Sequence, residues 1–97
     1  MSWSCIGEVP YSSEVADKLN NLNIGTSATV SVNAARDRFV VWVHSDSKGD
    51  GTKTWKALVE KSSQEEIATV MKEHNLAPNC AIVSVDANNL WQLWGYV

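Results

Sequence analysis

The hydrophobic and polar positions along the chain predict the same four elements twice, in the order strand, helix, strand, strand. Apolar residues alternate with polar ones or form short runs in the strands, and recur every three or four residues in the helices. The predicted strands span residues 3–9, 30–32, 38–44, 55–60, 81–85 and 90–97, and the helices begin near residues 12 and 62. Each half therefore has the pattern of a βαββ unit.

The ends of the predicted helices are marked by residues that satisfy free backbone groups. Ser12 or Ser13 is the expected N-cap of the first helix, since a serine oxygen accepts hydrogen bonds from the amides of the first turn. Ser62 and Glu65 fit a capping box at the start of the second helix. Gly25 is expected to supply the left-handed conformation that ends the first helix.

The two halves also match residue by residue. Five identical pairs lie 52 positions apart: Trp3 and Trp55, Glu8 and Glu60, Ala16 and Ala68, Asn23 and Asn75, Trp42 and Trp94. The segment 28–34 matches the segment 81–87 at an offset of 53. We interpret this as an internal duplication within a single domain of residues 1–97. The repeats are residues 1–45 and 53–97, and the linker is 46–52.

The predicted fold class is α+β. Two helices cannot cover both faces of a six-stranded sheet, so we expect a two-layer sandwich with both helices on one face of a mainly antiparallel sheet of about six strands. A ferredoxin-like core with added hairpin strands would satisfy this pattern. The two repeats are expected to be related by an approximate two-fold axis.

The last strand of each repeat carries large apolar side chains on both of its faces. Strand parity places one set of three residues from each repeat on the face away from the helices. An uncovered apolar surface often marks an interaction site, although a curled sheet would make the same residues core. The candidate interface residues are Val40, Trp42 and His44 in the first repeat and Gln92, Trp94 and Tyr96 in the second.

Composition and charge narrow the expected partners. The chain has 97 residues, of which 44% are hydrophobic, and a net charge of −3. Its eight basic residues are scattered among eleven acidic ones, so we expect neither nucleic acid nor an anionic membrane surface as a partner. No secretory signal pattern and no spanning apolar run is visible, which makes a cytoplasmic protein the expectation.

Residues that could carry chemistry do not form a recognisable site. Cys5 and Cys80 lack paired CxxC spacing and are expected to be small buried thiols, with a disulfide between them left open. His44 and His74 fall at positions that do not correspond in the two repeats, and no metal or cofactor is expected. Residues 46–51 faintly resemble a calcium loop, but a lysine holds the third ligand position.

The leading functional hypothesis is a non-enzymatic protein-interaction module that forms a homodimer through its aromatic sheet face. One alternative is a small-ligand binding protein with a pocket lined by Trp42, His44, Trp94 and Tyr96. A second alternative is a small acidic inhibitor or adaptor of another protein. No catalytic motif is present, so an enzyme is not expected.

Overall fold

The computed structural model describes residues 2–49 and 51–97, which form six strands and two helices. The strands are β1 (Trp3–Val9), β2 (Ala28–Val32), β3 (Phe39–His44), β4 (Trp55–Lys61), β5 (Ala81–Val85) and β6 (Trp91–Tyr96), and the helices are α1 (Ser12–Asn21) and α2 (Gln64–Glu73). The predicted order of elements is confirmed. Within the described residues no helix is long and apolar enough to cross a bilayer. The predicted repeat 1–45 and linker 46–52 include Met1 and Asp50, which lie outside the described residues.

The strands form two three-stranded antiparallel sheets. The first sheet has the order β1-β3-β2 and the second has the order β4-β6-β5. Each first strand shifts register at the equivalent place, between Cys5 and Gly7 and between Ala57 and Val59. The α+β class is therefore confirmed, whereas the single sheet of about six strands is replaced by two sheets.

The two helices occupy different layers. Val15 of α1 belongs to one buried cluster with Val41 of the first sheet and Trp94 of the second, so α1 packs against both sheets, which also contact each other through β2 and β5. Ile67 of α2 packs with Leu93 on the opposite face of the second sheet. The expectation that both helices share one face of one sheet does not hold. α1 and α2 therefore pack on opposite faces of the second sheet.

The apolar character of both faces of β6 explains this stacking. Leu93 is 1% exposed against α2, and its neighbour Trp94 is 0% exposed on the side of α1. A two-layer sandwich would leave one of these faces in water. Burying a large apolar side chain contributes about 1.5–3 kcal/mol, so the second sheet is more stable with cover on both sides.

The helix ends differ in detail from the predicted ones. Tyr11 is the N-cap of α1 and makes no side-chain cap hydrogen bond. Ser63, one residue later than predicted, caps α2 by accepting from the Glu66 amide at 3.3 Å. Asn23, at φ 51°, provides the left-handed residue after α1 in place of Gly25, because asparagine tolerates this conformation better than most residues.

Candidate functional site

The two sheets carry equivalent faces that differ in exposure. The covered face, on the α1 side of the second sheet, includes six buried residues: Trp55, Ile82, Ser84, Gln92, Trp94 and Tyr96. The open face, the equivalent face of the first sheet, includes Trp3, Cys5, Thr29, Ser31, Val40, Trp42 and His44. Trp94 is 0% exposed and its equivalent Trp42 is 38% exposed. Trp55 is 1% exposed, whereas its equivalent Trp3 is 54% exposed.

Groups of the first repeat pair the two indole N–H groups of the covered face, whereas the buried Tyr96 hydroxyl has no hydrogen-bond partner within the described residues. The Trp94 Nε1–H donates to the Ser12 carbonyl at 2.8 Å, and the Phe39 ring meets the Trp94 ring edge-on with centroids 5.3 Å apart. The Trp55 Nε1–H donates to the Ile24 carbonyl at 3.1 Å. Both indoles are thus buried with their polar group paired, as buried tryptophan requires.

Asn20 of α1 closes the outer edge of β4. Its Nδ2 donates to the Trp55 carbonyl at 2.8 Å, and its Oδ1 accepts from the Trp55 amide at 2.8 Å. The side-chain amide therefore makes the two hydrogen bonds that a neighbouring strand would make. An edge strand protected in this way does not offer its backbone to other chains at that point.

The open face forms a shallow aromatic surface. Trp3 and Trp42 line a depression of about 410 Å³ together with Thr29 and Ser31. The Trp42 Nε1–H donates to the Ser31 hydroxyl at 3.1 Å, and the Trp3 ring meets the His44 ring edge-on with centroids 5.4 Å apart. These contacts orient both indoles but leave much of their apolar area in water.

The six predicted interface residues lie on two different faces. Val40, Trp42 and His44 belong to the open face, although Val40 itself is buried among its neighbours. Gln92, Trp94 and Tyr96 all belong to the covered face. The structure therefore does not bring Trp42 and Trp94 together. α1 of the first repeat packs on the second sheet, whereas α2 packs only on the sheet of its own repeat within the described residues. A two-fold axis relating the repeats would also place α2 on the first sheet.

Sequence reasoning missed the residues that β1 and β2, the strands on either side of β3, contribute to the open face. Trp3 and Cys5 reach it from β1, and Thr29 and Ser31 reach it from β2. Parity within one strand shows which of its residues share a face, but it gives no register between strands. The one available signal was the pairing of Trp3 with Trp55 in the duplication.

A second, more polar depression of about 580 Å³ lies between the start of α1 and the turns that follow β2 and β5. Gln92 projects into its floor, where its Nε2 donates to Glu60 Oε1 and to Asp86 Oδ2, each at 2.9 Å. Both amide hydrogens are thereby used within the chain. The group ties β6 to β4 and to the turn before it, which is a structural role.

The remaining reactive side chains are dispersed. Both thiols are free, with Cys80 buried as predicted and Cys5 exposed, contrary to expectation. His44 Nδ1 accepts from the Asp46 amide at 3.1 Å, and His74 is the C-cap residue of α2. Among residues 2–49 and 51–97, no three His, Cys, Asp or Glu side chains are grouped to hold a metal ion.

No protein-family model matches this chain, and no curated protein or solved structure matches it at a significant level. The case for a function therefore depends on the geometry of the open face.

Proposed function

We propose that this protein is a non-enzymatic protein-interaction module that self-associates through the open face. One observation carries the proposal: Trp3 and Trp42 are 54% and 38% exposed, whereas their equivalents Trp55 and Trp94 are buried against protein. The first repeat thus exposes to water a surface whose equivalent in the second repeat is covered by protein. Exposed aromatic surface of this kind is typical of interaction sites.

The chemistry of the open face suits a reversible contact. Two indoles supply large apolar areas, about 150–250 Å² for a whole tryptophan side chain, and they lose little rotamer freedom on binding. The two indoles are surrounded by Thr29, Ser31 and His44, whose polar groups are hydrated when no partner is bound. Such a face can be exposed without forcing the chain to aggregate.

The size of the face also indicates a modest affinity. Three strands about 4.8 Å apart and six residues long give a plan area of roughly 300 Å² before side-chain relief. A stable interface usually buries about 800 Å² on each partner. We therefore expect association to depend on protein concentration and to be in rapid exchange.

Light scattering on a sizing column across a dilution series tests the proposal. We expect the wild-type mass to rise with concentration and the Trp42→Ala variant to remain monomeric with an unchanged far-UV circular dichroism spectrum. Tyr11→Ala is the matched control, because Tyr11 is exposed but lies away from the open face. A wild-type protein that stays monomeric at every accessible concentration contradicts the proposal.

A further inference from the structure

The first repeat covers the second with a defined surface, formed by one side of α1 and by β2. Ser12, Ala16 and Asn20 recur every four residues along that side of α1, and β2 packs beside β5. Ser12 and Asn20 hydrogen-bond the two buried tryptophans of the covered face, and Ala16 is itself buried between them. Val30 of β2 is 5% exposed within the same core cluster.

The second repeat carries the equivalent surface, and nothing in the chain covers it within the described residues. Gln64, Ala68 and Lys72 of α2 correspond to the three α1 residues, and all three are exposed. Val83 corresponds to Val30 and is 37% exposed, one of the few large apolar side chains in water. We call Gln64, Ala68, Lys72 and Val83 the α2 surface.

The molecule therefore contains one complete interface between its repeats. It also carries the two surfaces that would form a second interface of the same kind, but these two surfaces do not meet within one chain. The open face lies at the first-repeat end, and the α2 surface lies at the second-repeat end. We infer that the α2 surface of one copy docks on the open face of another, so that copies associate head to tail. This inference rests on the proposed self-association and names the partner surface.

The interface within the chain indicates which contacts the docked copies make. Ala68 allows the same close approach to the sheet that Ala16 allows. The Gln64 carbonyl takes the place of the Ser12 carbonyl, which accepts from Trp94 at 2.8 Å. Trp42 then donates to this carbonyl and releases the Ser31 hydroxyl, its partner at 3.1 Å in the free chain.

Apolar and aromatic contacts follow the same correspondence. Phe39 meets Trp94 edge-on in the chain, and its equivalent in the second repeat is the half-buried Trp91. Trp91 of one copy would therefore meet Trp42 of the next. Val83 would lie against Thr29, as β5 lies against β2 within the chain.

Charge favours the same pairing. Lys72 replaces Asn20, so it approaches the edge of β1 at Trp3 of the next copy. Asp46 lies beside that point, since its carboxylate is 3.8 Å from the His44 ring that Trp3 contacts. An ammonium group thus meets an acidic side chain, and added salt weakens such an exposed attraction.

The geometry of the contact limits the assemblies that can form. Two different surfaces meet, so the contact is heterologous and is not repeated by a two-fold axis. Copies add at either end, giving short chains or closed rings. A mass distribution that extends beyond the dimer is expected at high concentration.

Two variants that each block one surface test the inference. Thr29→Glu places a charge in the open face, and Ala68→Glu places one in the α2 surface. Both positions are exposed, and glutamate is a good helix residue at position 68, while position 29 points into water from the strand β2, so both variants are expected to fold. Thr69→Glu is the matched control, since its equivalent Asp17 stays exposed beside the interface between repeats.

We expect each blocked variant alone to be monomeric at concentrations where wild type and Thr69→Glu associate. An equimolar mixture of Thr29→Glu and Ala68→Glu should form a heterodimer that grows no further, because each supplies the surface that the other lacks. If wild type associates but Ala68→Glu associates equally well, or the mixture stays monomeric, the head-to-tail inference is overturned while self-association stands. A wild-type protein that is always monomeric overturns both.

Discussion

Replacing Trp94 with alanine is expected to destabilise the fold far more than replacing Trp42, the residue at the equivalent position. The two side chains occupy the same place in the same strand of their repeats. Trp94 is 0% exposed and donates to the Ser12 carbonyl, whereas Trp42 is 38% exposed on the open face. The comparison therefore separates the effect of burial from the effect of residue type.

The loss in the free energy of unfolding depends on the cavity and the unpaired groups that each truncation creates. Trp94→Ala opens a closed cavity between α1 and the second sheet and removes the partner of a carbonyl, so we expect a loss of about 4–5 kcal/mol. Trp42→Ala leaves no enclosed cavity, and about 1–2 kcal/mol is expected. A domain of this size has a free energy of unfolding of about 5–15 kcal/mol, so only the first change threatens the folded state.

Thermal unfolding followed by far-UV circular dichroism measures both losses. One kcal/mol shifts Tm by about 4–8 °C in a domain of this size, so Trp94→Ala should lower it by more than about 15 °C. The samples must be dilute, because association through the open face would stabilise the wild-type protein by mass action. Equal losses for Trp42→Ala and Trp94→Ala would refute the assignment of one open and one covered face.

Two further substitution and labelling experiments examine the contacts between the repeats. Asn20→Ala should lower the free energy of unfolding in urea by about 1–3 kcal/mol, because it removes both hydrogen bonds to the Trp55 backbone. The control Asn21→Ala, at an exposed neighbouring position, should change this free energy little. Equal effects of the two substitutions would argue against a strand-like role for Asn20. In a thiol-labelling time course, Cys5 should react at once in the native protein and Cys80 only through unfolding, and simultaneous labelling of both would be inconsistent with a buried Cys80.

The elements and their order could be predicted because the signals for them are local. The bounds of β1 follow from the run that starts at Trp3 and from Pro10 after it, and the end of β5 follows from the polar turn at residues 86–89. We interpret the identical residues at a fixed spacing as an internal duplication. The identical strand orders of the two sheets agree with it.

The stacking of the two repeats could not be predicted, because its signals are not local. Val15 and Leu19 mark one apolar side of α1. The side that meets the second sheet carries Ser12 and Asn20, and these polar residues predict a surface exposed to solvent. This side of α1 contacts the second sheet through hydrogen bonds of backbone and side-chain amide groups, and hydrophobic periodicity does not predict such contacts. Trp42 and Trp94 illustrate the same limit, since an identical residue in an equivalent pattern is open in one repeat and covered in the other.

The indole N–H resonances of the tryptophans, recorded across a dilution series, test the central claim most directly. We expect the Trp94 and Trp55 signals to exchange slowly with solvent and to keep their positions, since both groups are bonded inside the fold. The Trp3 and Trp42 signals should exchange quickly when dilute and shift as the concentration rises. If no indole signal depends on concentration, or if the Trp94 signal moves together with that of Trp42, the account of one covered and one binding face is contradicted.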